Sequence, residues 1–154
     1  MPRIYLKKAE WLDVDLLFKW TNDKEVRENS FHSDKIFYDK HIEWYRNCLK
    51  SNNTDIFLCY LDAEPIGQVR LNFTSDGAQI SYSISKEYRG KGFGKIIIQL
   101  VEAEVVNNRL EIKNLFGSVK IDNIASQRVF ESLGYKRCLI DAGNPYYEYN
   151  KKIN

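Results

Sequence analysis

The chain has 154 residues, of which 44% are apolar and 29% charged, a size and composition typical of one globular domain over 1–154. No run approaches the roughly 18 apolar residues of a membrane-spanning helix, and the charged N-terminus lacks an apolar signal core, so a soluble cytosolic protein without a membrane partner is expected. A net charge of +2 does not predict nucleic acid as a partner, and the three scattered cysteines match neither a disulfide framework nor a metal clamp.

The N-terminal third of the chain predicts one strand and two helices. A strand is predicted over 3–7, and a helix from Asp13, as its cap, to about Trp20. The dipeptide Asn22-Asp23 then favours a turn. Between 38 and 50, apolar and aromatic side chains recur every three or four residues, which predicts a second amphipathic helix.

The middle of the chain predicts three strands followed by a helix. The runs 56–61 and 65–73 are separated by a short polar turn, a spacing typical of a hairpin. In 78–85, Ile80, Tyr82 and Ile84 alternate with small polar residues, so one face of this strand should be buried. From Gly92 to about 107 the period becomes helical, so that a strand passes into a helix through a glycine-rich turn.

The last third predicts a strand over 115–120, a helix from Asp122-Asn123 to Gly134, and closing strands over 135–140 and 146–152. Strands that alternate with helices favour an α/β (α+β) domain with a mixed sheet. At least one strand-helix-strand crossover should make two neighbouring strands parallel.

The segment Arg89-Gly90-Lys91-Gly92-Phe93-Gly94 lies where a predicted strand becomes a helix. Backbone N–H groups at a helix N-terminus point outward, and the helix dipole adds about half a positive charge, so such a turn can bind an anion. The three glycines keep side chains away from these amides and tolerate positive φ, while Arg89, Lys91 and Lys95 add positive charge.

Two common nucleotide-binding loops match this segment badly. A Walker loop requires Ser or Thr after its Lys, whereas Ile96 follows Gly94-Lys95 here. A dinucleotide fingerprint would place a small residue where this chain has Lys95 or Ile97. Kinase, GTPase and nicotinamide-enzyme functions are therefore disfavoured.

The glycine-rich segment resembles the acetyl-CoA loop of the GNAT acetyltransferase superfamily, Arg/Gln-x-x-Gly-x-Gly/Ala, at Arg89, Gly92 and Gly94. The later segment from Asn123 to Tyr135 is similar to the superfamily pattern Asn-x-x-Ala/Ser-x-x-x-Tyr/Phe-x-x-x-Gly-Phe/Tyr. The resemblance implies a GNAT fold with a mixed sheet of about six or seven strands and about four helices, and N-acetyl transfer from acetyl-CoA without a metal. It also implies a set of CoA-binding residues: Ile84, Arg89, Gly90, Lys91, Gly92, Phe93, Gly94, Lys95, Asn123, Ser126 and Phe130.

The first half resembles the GNAT branch that acetylates nucleotide-linked amino sugars, through Trp20-x-Asn22-Asp23, Asn29-Ser30-Phe31 and His41-x-x-Trp44. The resemblance implies a small-molecule amine as the acceptor and a monomer or homodimer, with acceptor contacts from Asn29, Ser30, Phe31, His32, His41 and Trp44. A protein N-terminal acetyltransferase of the ribosomal-protein type and a non-catalytic CoA-binding regulatory module are the alternatives. A closed pocket near 29–41 would favour a sugar, and an open groove with acidic walls would favour a peptide.

The general acid and the general base are left open by the sequence. Many superfamily members have Tyr where this chain has Phe130, so either the acid is water, Ser126, or one of Tyr82, Tyr135, Tyr146 and Tyr147, or protonation of the leaving thiolate is not limiting. Candidate bases in the acceptor half are Asp23, Glu25, Glu28, His32, His41 and Glu43. Because a sugar amine has a pKa only about one or two units above neutral, we expect that no single base variant abolishes turnover.

Overall fold

A computed structural model describes residues 1–141 and 143–154 of the chain. In this part of the chain seven strands form one sheet: β1 (Ile4–Lys8), β2 (Thr54–Leu61), β3 (Glu64–Thr74), β4 (Gly77–Ile84), β5 (Asn114–Lys120), β6 (Lys136–Ile140) and β7 (Tyr146–Lys152). The described helices are α1 (Val14–Thr21), α2 (Lys24–Asn29), α3 (Tyr38–Lys50), α4 (Phe93–Asn108) and α5 (Ile124–Ser132), with short 3-10 turns at Trp11–Asp13 and Lys86–Tyr88.

The sheet has the strand order β1-β2-β3-β4-β5-β7-β6. Its neighbouring strands are antiparallel except for β4 and β5, which are parallel and connected through α4. Pairing between β4 and β5 ends after Ile80 and Gly117, although β4 continues to Ile84 and β5 to Lys120. A gap therefore opens in the middle of the sheet between the C-terminal ends of these two strands.

Alternate residues of β2 enter two hydrophobic clusters on opposite faces of the sheet. Phe57 and Cys59 join the larger cluster, which α4 and α5 cover. Ile56 and Leu58 join the smaller cluster, which α1 and α3 cover. We call these the α4 face and the α3 face of the sheet.

The predicted mixed α/β fold with one parallel crossover is confirmed, but the structure has one helix more than predicted. The turn expected at Asn22-Asp23 is followed directly by the six-residue helix α2. The Asp23 carboxylate caps this helix by accepting hydrogen bonds from the backbone N–H groups of Glu25 at 3.1 Å and Val26 at 3.3 Å. Six residues are too few for a helical period to stand out in the sequence.

The predicted cap of α1 is wrong in its chemistry. Asp13 directly precedes α1, but its side chain makes no hydrogen bond to that helix. Its carboxylate instead accepts a hydrogen bond from the backbone N–H of Glu10 at 2.8 Å, which stabilises the preceding 3-10 turn. Helix α1 therefore continues from the 3-10 turn at Trp11–Asp13 and has no side-chain cap at its N-terminus.

Candidate active site

A cavity of about 630 Å³ lies at the gap between β4 and β5. Tyr82 lines it from the α4 face, together with Ser126 and Phe130 of α5. The neighbours Ser81 and Ser83 also line the cavity, and their side chains point to the α3 face. The cavity therefore passes through the sheet and joins its two faces.

The glycine-rich turn leaves its backbone amides open to solvent. Gly90 and Gly92 have φ angles of +74° and +84°, in the left-handed region that favours glycine. A Cβ built at either position would meet no atom within 4 Å, so other side chains do not cover the turn. The turn leads directly into α4 at Phe93, so the N–H groups of the first helical turn are available to a diphosphate.

Gly94 serves a different purpose from the one expected, because it lies inside α4 and is not among the glycines with positive φ. A Cβ at Gly94 would lie 3.3 Å from Cγ2 of Val129 and 3.4 Å from the ring of Tyr82. Its small size therefore lets α4 approach α5 and β4 closely. Lys91 and Lys95 are exposed beside the turn, where their ammonium groups can reach a bound anion.

The side chain of Arg89 contacts α2 rather than the open side of the turn. Its Nη2 lies 2.7 Å from Oδ2 of Asp23, and its Nε donates to the carbonyl of Ile84 at 3.0 Å and lies 2.9 Å from Oε2 of Glu25. Burial alone would raise the pKa of Asp23, but hydrogen bonds from Arg89 and from backbone N–H groups hold that pKa below its ordinary value. Arg89 thus ties the end of β4 to the acceptor half of the chain.

Tyr82 brings a phenol to the gap from β4. Its hydroxyl lies 3.0 Å from Oγ of Ser126, and burial raises the pKa of Tyr82 while this hydrogen bond lowers it in part. The phenol is therefore protonated at neutral pH. Asn123 caps α5 through its side-chain oxygen, which accepts from the N–H of Ser126 at 3.3 Å, so its amide NH₂ remains available to a ligand in the cavity.

Phe130 has no room for the hydroxyl that many superfamily members carry there. A Cβ built at Gly117 would overlap the Cζ of Phe130, so the para carbon of the ring points at the backbone of β5. The ring is also stacked on Tyr149, with ring centroids 5.5 Å apart, and packs edge-on against Tyr135. A phenol at this position would collide with the strand.

The acceptor residues predicted from the sequence come together on the α3 face. Asn29, Ser30, Phe31, His32, His41 and Trp44 all line the cavity. Arg27 holds this segment in place, because its Nε donates to the carbonyl of Thr21 at 2.7 Å and its Nη1 donates to the carbonyls of His32 at 2.8 Å and Asp34 at 3.1 Å. This role of Arg27 was not predicted, because it depends on contacts that form only in the folded chain.

His41 is held in the wall of the cavity by its neighbours. Its Nε2 donates to the carbonyl of Val14 at 3.0 Å, and its ring stacks on Tyr45. Burial lowers the pKa of His41, against the opposing effect of this hydrogen bond. The side chain is therefore neutral near pH 7 and joins α3 to α1.

The other candidate bases lie mostly outside the cavity. Glu43 is exposed and does not line the cavity, because the helical period of α3 places His41 and Trp44 on the inner side and Glu43 on the outer side. Glu28 is exposed, with its Oε1 3.9 Å from Nζ of Lys24. Asp23 and Glu25 face Arg89, as described above, and neither lines the cavity.

Three of the remaining candidate acids also lie away from the main cavity. The hydroxyl of Tyr135 donates to Glu102 at 2.8 Å, and Tyr147 packs edge-on against Tyr149. Tyr146 lines a smaller adjacent cavity of about 310 Å³, next to Phe31. Among the predicted tyrosines, Tyr82 is thus the one that lines the cavity at the gap.

The lining of the cavity is positively charged. Arg27, Lys40 and Arg70 line it, and among the described lining residues there is no Asp or Glu. Sequence analysis missed Arg70, Lys40 and Gln68, although an arginine between the apolar residues Val69 and Leu71 of a predicted strand was a signal for Arg70. In residues 1–141 and 143–154, no three His, Cys, Asp or Glu side chains come together as metal ligands, and no helix is long and apolar enough to cross a membrane.

Known proteins with a similar sequence or fold include acetyltransferases. The family described as "Acetyltransferase (GNAT) domain" matches residues 3–136. The chain is 26% identical over 123 residues to the uncharacterized N-acetyltransferase YfmK of Bacillus subtilis (strain 168). The matched region covers 80% of this chain and 78% of that protein.

Two solved structures share the fold at low sequence identity. A domain from Methanocaldococcus jannaschii DSM 2661 has a TM-score of 0.86 at 20% identity, over 99% of this chain and all (100%) of that chain. The spermidine N-acetyltransferase of Vibrio cholerae, in complex with CoA and spermine, has a TM-score of 0.83 at 19% identity, over 97% of this chain and 95% of that chain. Because the family match spans residues 3–136, the chain belongs to the GNAT acetyltransferase family and is an N-acetyltransferase.

Proposed function

We propose that this enzyme transfers the acetyl group of acetyl-CoA to the primary amine of a small anionic acceptor, and that a nucleotide-linked amino sugar is the best-fitting class. The observation that carries the proposal is the cavity of about 630 Å³ at the gap, which contains three cationic residues and, among its described lining residues, no carboxylate. A cavity of this size suits a small molecule better than a peptide chain.

The charge of the cavity separates this acceptor class from polycations. A polyamine or an aminoglycoside would bring several positive charges close to Arg27, Lys40 and Arg70. Like charges in a partly desolvated site repel each other, whereas a diphosphate would be attracted. The similarity to the spermine-bound structure from Vibrio cholerae therefore supports the fold, but it does not support a polyamine as the acceptor of this enzyme.

The proposed reaction uses the gap as the meeting point of two substrates. The open turn at Gly90 and Gly92 would hold the diphosphate of CoA, and β4 up to Ile84 together with Asn123 would position the pantetheine arm. Backbone groups of β4 beyond Ile80 that point into the gap have no partner in β5 among the described residues, so an N–H there can face the thioester carbonyl.

The amine would enter from the α3 face and attack the carbonyl carbon in the gap. A C–N bond forms, the C–S bond breaks, and the proton of the amine passes to water, since no described carboxylate lines the cavity. The phenol of Tyr82 would donate its proton to the leaving thiolate and recover it from solvent through Ser126. This assignment gives the chain a general acid despite Phe130.

A thiol-release assay with acetyl-CoA tests the proposal. The panel contains a UDP-linked amino sugar, glucosamine, spermidine and a peptide with a free N-terminus. We expect the largest kcat/KM for the UDP-linked amino sugar, by about tenfold or more over spermidine. Fastest release with spermidine or with the peptide would contradict the proposal, and CoA binding without release from any amine would favour a regulatory module.

A further inference from the structure

Arg70 is one of the three basic residues that line the cavity, and it lies on the α3 face of the sheet. It lies on β3 between Val69 and Leu71, whose side chains enter the core on the α4 face. In the sheet Arg70 is paired with Ile56 of β2 on one side and Ser81 of β4 on the other. Its guanidinium is therefore close to the point where β4 and β5 separate, on the side opposite the glycine-rich turn.

The guanidinium of Arg70 lacks a protein partner in the part of the chain that the structure describes. It takes part in none of the ion pairs there, and its Nε is buried without a hydrogen-bond partner. Its main neighbour is Trp44, with the guanidinium carbon 5.1 Å from the centroid of the indole ring. Burial lowers the pKa of Arg70, as expected for a desolvated cation.

Three other partly buried arginines differ from Arg70 in this respect. Arg27 donates to several backbone carbonyls, and Arg89 pairs with Asp23 at 2.7 Å. Arg109 lies 3.2 Å from Oδ2 of Asp55. Since a buried charge is costly unless it is paired, the unpaired arginine on the wall of a cavity points to a partner that comes from outside the chain.

We infer that Arg70, held against Trp44, binds an anionic group of the acetyl acceptor, a carboxylate or a phosphate. The planar guanidinium matches the two oxygens of either group, and the indole ring fixes its plane. Lys40 lines the same cavity and adds positive charge. The inference rests on the proposed function, because it places this anion on the acceptor. CoA approaches from the opposite face, where Gly90, Gly92 and Ser126 lie.

Kinetics with matched amines test the inference. The substrates are glucosamine, glucosamine 6-phosphate and glucosaminic acid, which carry no anionic group, a phosphate and a carboxylate. In the Arg70→Gln variant, kcat/KM should fall about 30-fold for the preferred anionic amine and less than about threefold for glucosamine. The Arg46→Gln variant is the control, because Arg46 is an exposed arginine that stacks on Trp11 outside the cavity. Equal losses on neutral and anionic amines would overturn the inference.

An equilibrium measurement separates this inference from the proposed function. Thermal unfolding of the CoA-saturated protein is followed with inorganic phosphate, acetate or chloride at constant ionic strength. Phosphate or acetate should raise the Tm of the wild type and of Arg46→Gln, but not that of Arg70→Gln. If this shift is present while no amine releases thiol, the subsite is supported and the proposed function fails. If the wild type shows no such shift, or Arg70→Gln retains it, the subsite is overturned.

A second variant, Arg70→Met, keeps the inference testable if Arg70→Gln folds poorly. Arg70→Met keeps an unbranched stem against Trp44 but removes the charge. If the partner of Arg70 is an external anion, the Tm of Arg70→Met without phosphate or acetate should equal or exceed that of the wild type, because an unpaired and partly buried charge is lost. A marked fall in Tm would assign Arg70 a structural role and overturn the inference.

Discussion

Phe130, at a position where many superfamily members have Tyr, is the clear departure of this chain from the superfamily pattern. Phe130 is fixed by Gly117, whose missing Cβ leaves space only for the ring itself. Tyr82 instead supplies a hydroxyl from β4, hydrogen-bonded to Ser126 at 3.0 Å. In the proposed mechanism the helix residue Phe130 packs against β5, and the strand residue Tyr82 is the general acid.

Removal of the Tyr82 hydroxyl tests its role as the acid. In Tyr82→Phe we expect kcat to fall about 100-fold, because the thiolate must leave without a positioned proton donor, while the KM for acetyl-CoA changes little. The control is Tyr135→Phe, which removes a hydroxyl bonded to Glu102 outside the cavity and should leave kcat nearly unchanged. Thiol-release rates give both values, and an unchanged kcat in Tyr82→Phe would reject the assignment.

His41 should make stability depend on pH in a defined direction. Because burial lowers the pKa of His41 from its ordinary 6.5, the unfolded chain binds a proton at a pH where the folded chain does not. The free energy of unfolding should therefore fall as pH decreases below about 6.5, with a contribution of at most about 1.4 kcal/mol per pH unit. Above that pH this contribution to stability is fully present.

Urea unfolding between pH 5.5 and 7.5 measures this slope. His41→Phe should reduce the slope relative to the wild type, even if the variant is less stable at every pH, since the titrating group is gone. His32→Asn is the control, because it removes the other histidine of the sequence, whose side chain is exposed. The same slope in all three proteins would exclude His41 as its source.

At the level of elements, the glycine-rich turn and α4 could be predicted from the sequence because the signal is local. Three glycines and a change of period from two to 3.6 lie within a few residues of each other. Helix α2 was not predicted, since it is short and is held by Asp23 and by contacts to residues remote in sequence, such as Arg89. Local pattern cannot reveal an element that depends on distant partners.

Two glycines with similar backbone geometry allow the effect of a substitution on CoA binding to be distinguished from its effect on the free energy of unfolding. Gly92 and Gly134 have φ angles of +84° and +86°, and a Cβ at either would meet no atom within 4 Å. Alanine at either site should reduce the free energy of unfolding by about 1 kcal/mol, because a Cβ is disfavoured in the left-handed region. Gly92→Ala alone should also weaken CoA binding, by about tenfold, since its Cβ would project beside the anion-binding amides.

Calorimetry with CoA and urea unfolding distinguish the two effects. A similar loss of stability in both variants, with weaker CoA binding confined to Gly92→Ala, is the expected result. Equal CoA affinity in the two variants would argue against the turn as the diphosphate site. The comparison is matched because Gly134 ends α5, away from the start of α4.

At the scale of the whole molecule, the cavity through the sheet favours direct transfer between two bound substrates. Two of the three cysteines are also poor covalent carriers: burial raises the pKa of Cys48 and raises that of Cys59 to about 11, so both thiols are protonated at neutral pH. We expect intersecting initial-rate plots for acetyl-CoA and amine. Mass spectrometry after incubation with acetyl-CoA alone should detect no acetylated cysteine, and a stoichiometric adduct would contradict direct transfer.

Only part of the lining of the cavity could be predicted from the sequence. The acceptor segment near 29–41 was identified by resemblance, and its residues do line the cavity. Arg70 joins them only because β3 pairs with β4 and because α3 lies across that face of the sheet. Such proximity arises from pairing between residues distant in the chain, so the positive lining became visible only in the folded protein.

The passage between β4 and β5 has a practical consequence for inhibitor design. A single compound in which an amino-sugar nitrogen is joined to the sulphur of CoA by an acetyl bridge would thread the sheet and occupy both faces at once. Each half would hold the other in place, so it should dissociate far more slowly than either fragment. The linked compound would also discriminate against CoA-binding proteins whose sheets have no such passage.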